Sequence, residues 1–73
     1  MKAIINLTTI AELPCKISSK SDREVNFEIP RALATATTMN TLNKIEGVRM
    51  YIYPSVVSVH ISTKFVESII FMD

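Results

Sequence analysis

His60 and Cys15 are the only histidine and the only cysteine in the chain. A general base needs a reacting proton within hydrogen-bond reach and usually a group that orients it. With no second histidine and no triad recognisable from spacing, His60 reads as a surface histidine. One cysteine and one histidine cannot form the usual four-ligand zinc site, and a lone cysteine excludes an intramolecular disulfide. Cys15, next to Pro14, reads as a structural thiol in a reducing compartment. Gly47 is the single glycine, so a glycine-rich phosphate loop is absent. No catalytic residue, metal ligand or cofactor is expected, and the chain reads as non-enzymatic.

The residue types that stand out are those of recognition. Residues 48–62 read V-R-M-Y-I-Y-P-S-V-V-S-V-H-I-S. Side chains alternate between the faces of a strand, so one hairpin register sorts both strands at once. A turn at Pro54-Ser55 sets Ile52 opposite Val57, Met50 opposite Val59 and Val48 opposite Ile61. The other face then carries Arg49, Tyr51, Tyr53, Val56, Ser58, His60 and Ser62. Tyrosine and arginine are favoured interface anchors. Arg49, Tyr51, Tyr53, Ser58 and His60 are therefore the expected partner-binding residues. Pro54 cannot adopt the positive φ of the commonest two-residue loops. A type I turn within a slightly longer loop is expected instead.

The size of the chain limits what can position that hairpin. Its 73 residues allow one domain with a small core, stable by roughly 4–11 kcal/mol. Apolar residues make up 48% of the chain, which argues against disorder. Eight basic residues face seven acidic ones, a formal charge of +1, too small for general attraction to nucleic acid or anionic membrane. No apolar run approaches the ~18 residues of a membrane span. No signal-peptide pattern is recognisable at the start, and a cytoplasmic location is expected.

Residues 2–10 are rich in Ile and Thr and favour a strand with apolar residues on both faces. Pro14 breaks that pattern, and a short strand could start at Lys16 and Ile17. Residues 18–22, S-S-K-S-D, read as a loop. In the next strand Val25, Phe27 and Ile29 alternate with Glu24, Asn26 and Glu28, the pattern of an antiparallel strand with one wet face. Pro30 suits a helix start. Residues 31–46 carry an apolar stripe of Ala32, Leu33, Ala36, Met39, Leu42 and Ile45. Gly47 is placed to close that helix in a left-handed conformation. The many Thr and Asn residues here are poor helix formers, so packing must hold the helix. In the tail, residues 63–73, Phe65, Val66, Ile69, Ile70 and Met72 suit a short helix, with an edge strand as the alternative.

The resulting fold class is α+β: a small two-layer sandwich, with an antiparallel sheet, one main helix at about residues 30–46 on one face, and the hairpin at 48–62. Residues 42–63 resemble the helix-to-hairpin segment of the N-terminal domain in Nfu-type iron–sulfur scaffold proteins, and the matching part of ferredoxin-like metal-transport domains. The resemblance lies in L-N-K-I-E-G-V, an alternating strand, a short turn and V-V-S-V-H. It implies a fold only. The cluster-binding C-x-x-C of the Nfu family lies in a separate domain with no counterpart here, and the C-x-x-C near the start of the metal-transport domains is not matched by the lone Cys15, so no iron–sulfur chemistry is carried over.

Three functions compete. The first is a protein-binding module that docks on a larger protein or complex. Domains this short are common among phage and mobile-element proteins that inhibit a host complex. The second is a single-stranded nucleic-acid-binding module, with sheet-face tyrosines stacked on bases and Arg49, Lys44 and Lys64 on phosphate. The third is a self-associating subunit joined through a strand edge or the tail.

Overall fold

The computed structural model describes residues 1–6 and 10–73, without the side chains of Asn6, Ile10 and Ala11. Its strands are β1 (Lys2–Asn6), β2 (Ile10–Pro14), β3 (Lys16–Lys20), β4 (Glu24–Pro30), β5 (Val48–Ile52), β6 (Val56–Ser62) and β7 (Ile69–Met72). One α-helix, α1 (Ala36–Asn43), lies between β4 and β5. The strands form two antiparallel sheets, of order β2-β1-β7 and β3-β4-β6-β5. The α+β class holds, but the one expected sheet is two.

The hairpin register is the expected one. Val48 opposes Ile61, Arg49 His60, Met50 Val59, Tyr51 Ser58 and Ile52 Val57. The Tyr53 N–H donates to the Val56 carbonyl over 2.9 Å, which carries the register to the turn. Gly47, at +81°, is the one residue with positive φ among those described. The Pro54 turn is thus built without a left-handed residue.

Val25, Phe27, Ile29, Val57, Val59 and Ile61 are buried on the inner face of the four-stranded sheet. Ala3, Ile5, Leu13 and Ile69 from the other sheet join the same core cluster. Phe27 meets Phe71 edge-to-face, with ring centres 5.2 Å apart. Val48 and Met50 are half-buried, and Ile52, an expected core residue, is 60% exposed. It ends the edge strand β5, where no further strand covers it.

Several expectations are corrected. The strand expected over residues 2–10 ends at Asn6, and a second strand starts at Ile10; residues 7–9 lie outside the described part. Pro14 ends β2, and β2 is an edge strand, where its missing N–H is tolerated. The expected loop at 18–22 is strand as far as Lys20, because an edge strand can expose polar residues on a wet flank. Only the turn after it remains, where the Ser21 hydroxyl accepts the Arg23 and Glu24 N–H groups.

The helix expected over 31–46 divides into a 3₁₀ turn, Arg31–Leu33, and the eight-residue α1. Thr35 is extended between them and caps α1, its hydroxyl accepting the Thr38 N–H. Leu42 and Ile45 of the stripe are buried and Met39 is half-buried, but Leu33 is exposed. Gly47 is left-handed as expected, but in the turn into β5, since α1 stops at Asn43. In the tail the alternative reading holds: after a short 3₁₀ turn, Val66–Ser68, the chain forms the edge strand β7 and not the short helix favoured from the sequence. Pairing with β1 sets Ile70 beside Ile4 and Phe71 beside Ala3, and places Ile69 and Phe71 toward the core.

Candidate functional site

The outer face of the four-stranded sheet gathers polar side chains from three adjacent strands. The central strand, β6, supplies Ser58 and His60; β5 supplies Arg49 and Tyr51; β4 supplies Glu24 and Asn26. The register sets His60 between Arg49 on one side and Asn26 on the other.

The contacts form a chain. Arg49 Nη2 donates to Glu24 Oε2 over 2.9 Å. Glu24 Oε1 lies 3.0 Å from His60 Nδ1. His60 Nε2 lies 3.1 Å from Ser58 Oγ. An ionised carboxylate can only accept, so Nδ1 carries the proton and, in the neutral ring, Nε2 accepts from the Ser58 hydroxyl. Asn26, in the amide orientation that satisfies its neighbours, donates to Glu24 Oε1 over 2.7 Å. Tyr51 packs edge-on to the His60 ring, with centres 4.8 Å apart. The imidazole is thus held from three directions.

Of the five expected binding residues, the fold brings Arg49, Tyr51, Ser58 and His60 into one network. Tyr53 stands past the end of β5 and is 52% exposed; Tyr51 is 41% exposed. Glu24, which joins Arg49 to His60, escaped the sequence reading. The alternation around Val25 places Glu24 on a wet face, but nothing in the sequence says that β4 pairs with β6.

Acid, histidine and serine are connected here in the order of a nucleophile relay, which sequence spacing did not reveal. Acyl transfer also needs donors aimed at the developing oxyanion. Strand β6 is hydrogen-bonded on both sides, to β4 and β5, so its main-chain N–H groups are committed to the ladders. The arrangement fixes the orientation of five polar side chains, Arg49, Glu24, Asn26, Ser58 and His60, on the sheet.

Other features are less developed. Cys15 is half-buried, and burial raises its thiol pKa, opposed more weakly by the charged N-terminus. It lines a shallow cavity of about 280 Å³ with Lys16, Glu28, Pro30 and Val56. A second cavity, of about 300 Å³, has walls that include Ile17, Val25, Val66, Ile69 and Phe71. Among the described residues, no cluster of three or more His, Cys, Asp or Glu is placed to hold a metal ion, and no helix is long and apolar enough to cross a membrane. Comparison of the chain with protein-family models, with curated proteins and with solved structures finds no match.

Proposed function

We propose that the chain is a non-enzymatic protein-binding module, which docks on a larger protein or complex through Arg49, Tyr51, Tyr53, Ser58 and His60. One observation carries this reading: exposed tyrosines stand beside a polar network that is already ordered. Tyr51 and His60 pack against each other, and Glu24 holds both His60 and Arg49. Side chains fixed before binding lose less entropy on docking. Tyrosine adds amphipathic contact area with few rotors. An inhibitor of a host complex, of the kind phage and mobile elements carry, is one form of this reading, and its support is the small size of the domain alone.

The nucleic-acid reading has less support. Arg49, its central cation, is paired with Glu24, and the net charge is only +1. A phosphate-driven mode needs several free cations and weakens steeply with salt. The test is binding by wild type and by Arg49→Ala/Tyr51→Ala, with nuclease and over a salt series. Nuclease-resistant association that the double variant loses supports protein docking. Association that nuclease abolishes and salt weakens steeply favours nucleic acid and overturns this reading.

A further inference from the structure

The two sheets have four edge strands, β2, β7, β3 and β5. Exposed edges invite pairing with another chain, and proteins usually blunt them with charges, proline or bulges. Three of the four are blunted. Strand β2 carries Glu12 and ends in Pro14. Strand β3 carries Lys16 and Lys20 and has a register shift between Ile17 and Ser19. Strand β5 carries Arg49, and Pro54 follows soon after it. Strand β7 reads Ile-Ile-Phe-Met, with no charge and no proline, and its pairing with β1 runs without a register shift. On its outer flank Ile70 is 48% exposed and Met72 51%. Half-buried Ile4, opposite Ile70, extends this apolar patch onto β1.

We infer that β7 pairs antiparallel with β7 of a second copy of this chain, giving one six-stranded sheet of order β2-β1-β7-β7-β1-β2. Charge is what selects a second copy. Around a two-fold axis a strand meets its own reversed sequence, so charges on it are brought against like charges, which is unfavourable. For β3, pairing centred on Ser18 would oppose Lys16 to Lys20. For β2, pairing centred on Glu12 would oppose Glu12 to itself. Strands β5 and β7 escape this conflict. Pairing centred on Met50 would oppose Arg49 to Tyr51, but Pro54 follows soon after β5, whereas the one charge near β7, Asp73 just beyond its end, would meet Ile69 and not another charge. Pairing centred on Phe71 sets Ile70 against Met72 of the second copy twice over, covering the two most exposed side chains of the strand with each other. The inner flank is already anchored through Phe71 on Phe27. A four-residue strand pair is smaller than a standard stable interface, so the dimer is concentration-dependent. This pairing does not rest on the docking reading. It leaves the Arg49–His60 face open on both copies, so one dimer presents two docking faces.

Sedimentation of the full chain over a wide concentration range tests the pairing. The expected result is a shift from 8.2 kDa to twice that mass, with Ile70→Lys weakening association at least about tenfold while Tyr51→Ala leaves it unchanged. Hydrogen exchange of the wild type supplies a readout that needs no variant: protection of the amides of residues 69–72 rises with concentration. A mass of 8.2 kDa throughout overturns the proposal. So does a dimer that Ile70→Lys leaves intact and β7 amides do not report.

Discussion

The two faces of the four-stranded sheet share one backbone and do different work. The inner face presents Val25, Phe27 and Ile29 from β4 and Val57, Val59 and Ile61 from β6, all buried. The outer face presents Glu24, Asn26, Ser58 and His60 from the same two strands, joined through side-chain hydrogen bonds and partly open to water. Period-two alternation makes this division possible, since each successive residue changes face. Burial on one face supplies stability without using a polar group. The other face can then hold residues chosen for recognition at little cost to the fold.

If the division holds, inner-face changes unfold the protein and outer-face changes spare it. Phe27→Ala is the most severe test. Phe27 is fully buried and meets Phe71, so its loss should cost about 3–5 kcal/mol in urea melts, against a total stability of roughly 4–11 kcal/mol. A loss below about 1 kcal/mol would remove Phe27 from the centre of the core.

Gly47→Ala comes next. The residue has φ +81°, and an added Cβ would lie 2.6 Å from Phe65 Cδ2. Left-handed strain costs about 1–3 kcal/mol for a non-glycine residue, and the Phe65 contact adds to it. Thermal melts check this, and an unchanged midpoint would contradict it. Arg49→Ala/Tyr51→Ala should cost much less. The Arg49–Glu24 pair is solvent-exposed, a setting worth about 0.2–1 kcal/mol. A melt close to wild type together with loss of docking would sharpen the comparison; extensive unfolding would show that the outer face also carries the fold.

Cys15 is the smallest test. Its thiol pKa is raised by burial, so less reactive thiolate is present at any pH below that pKa. Iodoacetamide should label it more slowly than the same residue in the urea-unfolded chain. Equal rates would contradict the burial.

The hairpin was legible because two strands and one turn had to agree: a register shifted by one residue would have put Arg49 on the face of Val57 and Val59 and His60 on the face of Val48 and Met50. The β4 alternation was legible for the same reason. The helix was legible in its place but not in its extent, because apolar spacing alone cannot say whether helical backbone continues through Thr35, whose hydroxyl instead caps α1. The tail could be read either way, because Ile69–Met72 is too short for periodicity to separate helix from strand; its partner β1 decides for the strand. Of the candidate site, Arg49, Tyr51, Ser58 and His60 followed from the hairpin. Glu24 did not, because it reaches them only through the pairing of β4 with β6, strands whose paired residues lie as far as 38 positions apart between Glu24 and Ser62.

The most direct test of the central claim is a nuclease-treated pull-down from native lysate with folded wild type, Arg49→Ala/Tyr51→Ala and Ile70→Lys, each first matched by circular dichroism. Docking through the outer face predicts a protein partner recovered by wild type and Ile70→Lys and lost by the double variant. A partner retained by the folded double variant would contradict the account and move the docking surface off the Arg49–His60 face.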